Sequence, residues 1–214
     1  DDYRGDVAAF YFDYVAEALN ANALDQVART SIDFNPVFQS LVLHAIDVER
    51  DGASSDRLAS ASITLARRET AFDTSAQANG DVSALIVLDD VRPGDRVRFR
   101  YSIRGSNPIL AGVRHDSYPM AWTVPILARH VRVLYPPGTD LMVRGEGTEA
   151  PPIRDGDGWR GVDVAGRDVA AVRAEEDTPS WIPMLPSIEV SDRRDWRDVV
   201  EWARALYPTD AAIP

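Results

Sequence analysis

The three histidines, His44, His115 and His130, are the first side chains to consider for metal binding or general-base chemistry. None has a second histidine or a carboxylate at the spacing that places two metal ligands on one face of a helix. Alternating patterns around His44 and His130 indicate strands, in which histidine is an ordinary sheet residue. The spacing therefore gives no support for a metal site, although folding could still assemble one.

Nucleophiles and phosphate-binding loops have no recognisable motif in this sequence. Without cysteine, thiol nucleophiles, disulfides and cysteine metal sites are excluded. No Gly-x-Ser-x-Gly elbow presents a serine. The stretch "RGSNP", Arg104 to Pro108, lacks the Gly-Lys-Ser/Thr ending of a phosphate loop, and "DGDG", Asp155 to Gly158, has Trp159 where a calcium loop needs a ligand. We expect turns at both places, no catalytic residue and no cofactor.

The acidic pair Asp89-Asp90 would suit acid–base catalysis only if both carboxylates faced one cleft. Neighbours on a strand point to opposite faces, which opposes that arrangement. The pair is followed by Pro93, Gly94 and Asp95, which are typical of a tight turn. We therefore predict a structural role, in which the two aspartates end a strand and cap the turn.

Tryptophan offers the only candidate for ligand binding. Of the five tryptophans, Trp181 stands in the proline-framed loop "PSWIPMLP", Pro179 to Pro186, which would hold its ring rigidly against a sugar or a peptide. Packing in the core or at an interface is the expected role of most of the others, which are Trp122, Trp159, Trp196 and Trp202.

Composition places the chain among soluble globular proteins. Its 214 residues suffice for one large domain or two small ones, with 45% hydrophobic and 27% charged residues. A net charge of -11 opposes binding to nucleic acid, and no apolar run is long enough to cross a bilayer. The sequence begins at Asp1 without a methionine or a signal peptide, which fits a processed protein or an excised segment.

Periodicity predicts a mainly β protein. In "DRVRFRYSIRG", Asp95 to Gly105, apolar residues alternate with arginines, so one face should enter a core and the other should meet solvent or acidic neighbours. Asn107 and Pro108 are expected to end this strand. Other predicted strands cover residues 8–19, 27–34, 40–50, 62–69, 82–91, 125–136, 141–144, 159–164, 169–173 and 188–190.

Within the strand predicted over 40–50, strict alternation would place Leu43 on the face opposite Ile46. The strand over 82–91 is apolar on both faces, which is typical of a central strand. Asp51-Gly52 predicts a turn.

The last segment, "SDRRDWRDVVEWARALY", predicts an amphipathic helix capped by Ser191 or Asp192 and ended by Pro208. We expect a β-sandwich domain over residues 1–190 and a connector helix and tail over 191–214. Trp196 is predicted to dock this helix in a packed seam.

Three separated stretches resemble one bacterial family: Ser31 to Gly52, Leu88 to Ile109 and Pro186 to Pro208. It is the domain of unknown function that precedes transglutaminase-like, papain-type cysteine protease cores. In that family a Phe-x-Pro and an Arg-Asp-Gly element, an Asp-Asp-Val-x-x-Gly-Asp turn and a closing Trp-x-x-Val-x-x-Trp helix follow one another in this order. The resemblance covers most of the chain, from about Phe10 to Leu206.

The resemblance implies an immunoglobulin-like, mostly antiparallel sandwich and a helix leading into a catalytic core. For many members it also implies a periplasmic or cell-envelope setting. Members usually continue into a core with a Cys-His-Asp triad, whereas this sequence has no cysteine, so no catalytic residue is transferred to it.

Two functions follow as hypotheses. The first is a non-catalytic domain that packs on a downstream transglutaminase-like core and positions a substrate or partner. The second is a free-standing module of the cell envelope that binds a peptide or a glycan through Trp181 and an open sheet edge. An independent hydrolase ranks last, because neither a nucleophile nor a base is evident.

Overall fold

The computed structural model of the chain describes residues 1–67, 80–173, 184–193 and 195–207. The chain divides into two compact units, one formed by Ala9–Asn107 and the other by Asp1–Ala8 together with Pro108–Pro214. Asn107 and Pro108 thus lie at the boundary between the units. The division predicted at residues 190 and 191 stays a prediction.

The unit Ala9–Asn107 contains two antiparallel sheets. A four-stranded sheet has the order β1-β7-β3-β4, and a three-stranded sheet has the order β2-β6-β5. The strands are β1 (Ala9–Glu17), β2 (Arg29–Phe34), β3 (Ser40–Arg50), β4 (Ala53–Asp56), β5 (Ser62–Arg67), β6 (Val82–Val87) and β7 (Arg96–Arg104), with a short helix α1 (Leu24–Val27). As its apolar sequence predicted, β6 is the central strand of its sheet.

One hydrophobic core joins the two sheets of this unit. Ile32 and Ile86 come from the three-stranded sheet, and Ile46, Val97 and Phe99 come from the four-stranded one; each of the five is at most 3% exposed. The predicted alternation in β7 is confirmed, because Val97 and Phe99 are buried while the arginines lie on the opposite face.

A β-bulge in β3 overturns the predicted alternation of that strand. The pairing of β3 with β7 shifts between Leu43 and Ala45, so that His44 is the extra residue. Leu43 therefore packs on the same core as Ile46 and Val48, and strict alternation was wrong here. The sequence carries a signal for this irregularity, namely a three-residue step between the apolar positions 43 and 46.

The other unit is built from two three-stranded antiparallel sheets, with the orders β10-β13-β8 and β11-β12-β9. Its strands are β8 (His115–Pro119), β9 (Ile126–Tyr135), β10 (Met142–Glu146), β11 (Arg154–Gly156), β12 (Trp159–Val169) and β13 (Ser187–Ser191). Asp2 forms a bridge with Leu134 of β9, which brings the amino-terminal segment into this unit.

Helix α2 (Trp196–Arg204) lies within the segment predicted to be helical, but its cap and its anchor differ from the prediction. Ser191 is the last residue of β13, and the side chain of Asp195 caps the helix by accepting from the backbone of Arg197 at 2.8 Å. Trp196 is 81% exposed, so the prediction that it docks the helix was wrong. Trp202 makes the contact instead, because its Nε1 donates to the carbonyl oxygen of Ile109 at 3.0 Å.

The mainly β class with a short helix near the carboxyl end is confirmed, and the immunoglobulin-like sandwich stays a prediction. Three strands were not predicted: β4, β8 and β11 are short and rich in polar residues. Conversely, residues 170–173 form no strand, because β12 already ends at Val169. Among the described residues, no helix combines the length and the apolar character needed to cross a membrane.

Candidate functional site

A group of carboxylates and backbone atoms surrounds Arg50, the last residue of β3. Its Nε and Nη2 donate to the two carboxylate oxygens of Asp95, both at 2.8 Å. Nη2 also donates to the backbone oxygen of Asp90 at 2.6 Å, and Nη1 lies 3.3 Å from the Asp90 carboxylate. A planar guanidinium is suited to such forked bonding, which a lysine could not reproduce.

Asp95 is the buried partner in this group, with 1% of its side chain exposed. Hydrogen bonds from the Arg50 guanidinium lower the pKa of Asp95 to about 2. The carboxylate also accepts from the backbone nitrogen of Arg92 at 2.8 Å, which closes the turn that contains Pro93. The group is therefore a structural tie, since both carboxylate oxygens are already occupied.

The turn before β7 is fixed by backbone bonds as well. Gly94 has φ +92°, a conformation that favours glycine, and its nitrogen donates to the carbonyl oxygen of Ala18 at 2.7 Å. The nitrogen of Ala18 in turn donates to the carbonyl oxygen of Asp95 at 3.0 Å. These bonds fasten the turn to the chain that follows β1.

Asp89 and Asp90 have different surroundings. Asp90 bonds to Arg50 and Arg92, and these bonds lower its pKa, with the bond from Arg92 contributing most. Asp89 instead lines a small cleft of about 180 Å³ with Arg57, among others. Ligand pockets are typically larger, from roughly 300 Å³ upwards. The two carboxylates therefore do not form an acid–base pair in one cleft.

The outer face of the four-stranded sheet carries a ladder of ion pairs. Three arginines of β7 each bind a carboxylate of a flanking strand: Arg96 with Glu17 at 3.0 Å, Arg98 with Asp13 at 2.6 Å and Arg100 with Asp47 at 2.8 Å. The acidic neighbours expected for this arginine face are thus present on both β1 and β3. Each pair is partly exposed, so solvent screening keeps its contribution to stability small.

The bulge in β3 brings together one pair of side chains that could be taken for a catalytic dyad. His44 Nε2 lies 2.7 Å from Ser102 Oγ, and the ring of Tyr11 lies 5.9 Å from the imidazole. Among the described residues, no carboxylate orients His44, and Ser102 is only 8% exposed. Ser102 stands in β7, which is paired on both sides, so its backbone nitrogen serves the sheet rather than an oxyanion hole. This geometry supports a structural pair rather than a nucleophile.

The other two histidines have surroundings of their own. His130 in β9 lies 2.8 Å from the carboxylate of Asp163, and both side chains are exposed by a third or more. His115 is the exposed first residue of β8. In the part of the chain that the structure describes, no three metal-binding side chains come together.

A second polar group, in the unit that includes the amino-terminal segment, joins tyrosines to carboxylates. The hydroxyl of Tyr3 donates to Asp116, and its ring lies 4.9 Å from that of Tyr135. The Arg114 guanidinium lies 5.4 Å from the centre of the Tyr3 ring. Burial raises the pKa of Tyr3, so its hydroxyl stays protonated at neutral pH and can donate; burial also raises the pKa of Asp116. The cluster holds Tyr3 against β8, which is a packing role.

The structure does not test the predicted role of three residues, Trp181, Asn107 and Pro108. Trp181, the candidate for ligand binding, lies outside the described residues. Asn107 and Pro108 follow the arginine strand, which ends at Arg104, and Pro108 begins a short 3₁₀ helix. Gly105 directly after the strand has φ +113°, and a Cβ there would overlap the carbonyl oxygen of Phe38.

Sequence reasoning missed the pairing of Arg50 with Asp95, although both residues belong to the stretches that carry the family resemblance. They lie 45 positions apart, and nothing in either stretch names the other as its partner. The sequence does carry a signal. Asp95 stands directly before a strand with an apolar face, where a carboxylate is expected to be buried and therefore to need a cation.

Comparisons with known proteins find a family and a similar fold for this chain. A chain from Parabacteroides distasonis, described as a putative protease, has a similar fold with a TM-score of 0.75 and 18% identity; the match covers 90% of this chain and 38% of that chain. The chain thus spans well under half the length of this neighbour. No curated protein matches it. The family model described as Domain of Unknown Function with solved-structure structure (DUF3857) matches residues 8–173, and the chain belongs to that family.

Proposed function

We propose that this chain is a non-catalytic domain that packs on a transglutaminase-like catalytic core of the same polypeptide and helps to position its substrate or partner. The observation that carries the proposal is an apolar stripe on α2 that the described part of the chain leaves uncovered. The parent protein is then an enzyme of the cell envelope, as the family resemblance implies.

The stripe consists of Trp196, Val200 and Ala203 of α2, and Tyr207 follows in the turn after the helix ends at Arg204. The spacing of four and three residues places the three helical side chains on one side of the helix. Trp196 is 81% exposed, Tyr207 is 75% exposed and Val200 is 53% exposed. Large aromatic side chains grouped in this way are typical of a surface that binds another protein surface.

The other side of α2 is already in use. Trp202 lies about a third of a turn away from the stripe and bonds to the carbonyl oxygen of Ile109. The helix is therefore held by one part of its apolar surface and offers the other part to a partner. A connector between a β domain and a following core needs both contacts.

The structural comparison supports a partner within the same polypeptide. The similar chain described as a putative protease is much longer than this one, since the match covers only 38% of it. The tied turn at Asp95 and the ion-pair ladder also fit a rigid scaffold better than a reactive site.

Amide hydrogen exchange on the native polypeptide tests the proposal. We expect α2 to exchange slowly in the native polypeptide and rapidly in the 214-residue chain, because the core would cover the stripe. A matched pair of substitutions, Trp196→Ala in the stripe and Glu201→Ala outside it, provides the control. Only the first should restore rapid exchange of α2 in the native polypeptide; equal effects of the two would contradict the proposal.

The alternative function is a free-standing module that binds peptide or glycan. Its specific support is the exposed, aromatic edge strand β1, and Trp181 stays its second candidate contact.

The cellular setting can be tested separately by fractionating cells and detecting this chain with an antibody. Recovery in the cytoplasmic fraction alone would contradict an envelope location.

A further inference from the structure

The sheet β11-β12-β9 has one buried face and one face that is open to solvent. Val131, Val133 and Val162 lie on the buried face and are each at most 4% exposed. Their neighbours in β9, His130 and Arg132, point the other way, and their side chains are 59% and 48% exposed. The open face is therefore formed by the residues that alternate with the buried valines.

Cationic side chains follow this open face at regular intervals along β12. Residues 161, 163, 165 and 167 of β12 point to the open face, and each either is such a residue or lies directly opposite one in a paired strand. In that order, the four side chains are Arg154, Arg132, His130 and Arg167. Two residues of a strand span roughly 6.6 Å, so these four side chains, called the basic row, are spaced by about that distance along the strand direction.

The arginines of the basic row are largely unpaired. Arg154 and Arg167 are exposed, and neither binds a carboxylate of a described residue. Arg132 approaches a carboxylate at 3.4 Å, from its Nε to Asp163. By contrast, each arginine of the ion-pair ladder in the other unit binds a carboxylate at 3.0 Å or less. The basic row therefore keeps donors for an external acceptor, although the chain contains 34 acidic residues.

Trp159 holds the central arginine of the row in place. Its indole covers Gly156 of the paired strand, because a Cβ at Gly156 would overlap the indole Nε1. The Arg132 guanidinium lies 5.2 Å from the centre of the same ring. An arginine that is already held by a ring loses less side-chain freedom when it binds a ligand.

We propose that the open face of β9, β11 and β12 binds an extended acidic peptide, whose alternate carboxylates bond to the basic row. Alternate side chains of an extended peptide lie on one side and repeat at roughly 6.6 Å, which matches the spacing of the row. A guanidinium is also suited to forked bonding with a carboxylate. The α2 stripe is not part of this face, so the peptide would bind whether or not α2 packs on a catalytic core.

Local charge decides the sign of the ligand. The open face carries three arginines against one aspartate, Asp163, which His130 and Arg132 share. Charges further apart than the Debye length, about 8 Å at physiological ionic strength, are largely screened. A peptide lying on the row therefore meets the arginines, and most of the negative charge behind the chain's net value of -11 is screened.

The test uses two octapeptides of equal composition, both acetylated and amidated. One alternates glutamate with threonine, and the other has four glutamates followed by four threonines, so that neighbouring carboxylates point to opposite sides. Each is titrated into the 214-residue chain and followed by amide NMR shifts. We expect the alternating peptide to shift amides of β9, β11 and β12 saturably, to leave β6 unchanged and to bind about fivefold more tightly than the block peptide. Equal affinities, or no saturable shifts, would overturn the proposal.

Three substitutions that each remove one positive charge complete the test. Arg154→Gln and Arg167→Gln change the basic row, whereas Arg104→Gln changes an exposed arginine at the end of β7 in the other unit. We expect each of the first two to weaken binding of the alternating peptide about threefold or more, and Arg104→Gln to weaken it less than about 1.5-fold. Equal losses in all three would overturn the proposal.

An acidic glycan is the competing ligand for this face. An oligogalacturonate with four carboxylates is titrated under the same conditions as the alternating peptide. We expect it to bind more weakly, because its carboxylates are not arranged on one side at the spacing of the row. Tighter binding of the oligogalacturonate would assign the face to an acidic glycan and overturn the proposal of a peptide.

Discussion

At the scale of single residues, the ion pair between Arg50 and Asp95 decides how the turn before β7 is held. Asp95 is almost fully buried and accepts three hydrogen bonds, two from Arg50 and one from the backbone of Arg92. The pair joins the Arg-Asp-Gly stretch to the Asp-Asp-Val-x-x-Gly-Asp stretch. Two of the stretches that carry the family resemblance therefore contact each other, as a structural role would predict.

Asp95→Asn should lower the free energy of unfolding at pH 6 by about 2 kcal/mol, because it leaves Arg50 without its charged partner. The pKa of Asp95 in the folded chain is about 2, below the ordinary value of 3.8. Its stabilisation is therefore complete above about pH 4 and is lost as the pH falls towards 2. Urea denaturation at several pH values measures the free energy of unfolding of both proteins. A loss in the variant that is as large at pH 2 as at pH 6 would contradict this role of Asp95.

Gly105 and Gly94 form a matched pair for testing which turn is sterically constrained. Both have positive φ, but a side chain at Gly105 would overlap the Phe38 carbonyl oxygen, whereas a side chain at Gly94 would meet nothing within 4 Å. We expect Gly94→Ala to lower the free energy of unfolding by about 1 kcal/mol and Gly105→Ala to lower it by more than about 2 kcal/mol. Thermal unfolding of the two variants measures this difference in stability. Similar losses of stability would mean that the close approach to Phe38 is absent.

At the scale of elements, α2 has one anchored side and one free side. In the 214-residue chain, Trp196→Ala should change the free energy of unfolding by less than about 0.5 kcal/mol, because the indole is exposed. Trp202→Ala should destabilise the helix by about 1 to 2 kcal/mol, because it removes packing and the bond to Ile109. Circular dichroism during denaturation compares them, and a larger loss for Trp196→Ala would reverse our assignment of the two sides.

The strands that were predicted correctly have clear alternation or strong apolar character. The limits of β3 at Ser40 and Arg50 and the buried face of β7 could be predicted, because a period of two over nine or more residues is a strong local signal. The bulge at His44 was missed, because strict alternation was assumed across a three-residue step. Strands β4, β8 and β11 form because they pair with neighbouring strands that are remote in the sequence or polar. Local sequence patterns do not record such pairing.

The candidate sites were less predictable than the strands. Trp196 and Trp202 are both tryptophans of the same short helix, and only the folded chain shows which of them finds a partner. Asp89 and Asp90 were expected to separate as neighbours on a strand, but β6 ends at Val87, so they separate in the segment that follows the strand. The partner of Asp95 could not be predicted, since ion pairing between distant residues depends on topology.

At the scale of the whole molecule, the chain consists of two β-rich units, one with the tied turn and the ion-pair ladder, the other with the tyrosine cluster and α2. Each unit has its own buried side chains, such as Ile46 in one and Val133 in the other. None of the polar groups described above combines an accessible nucleophile, a positioned base and a free oxyanion site. Under the proposed function, partners contact its exposed apolar surfaces.

The intact mass of the native polypeptide, captured from its own cells with an antibody against this chain, tests the central claim most directly. A front domain of a core-bearing protein predicts a species far heavier than the 23.6 kDa of this chain, with peptides of a cysteine-containing core in its digest. A native species close to 23.6 kDa would contradict the claim and leave the free-standing binding module as the function that the structure supports.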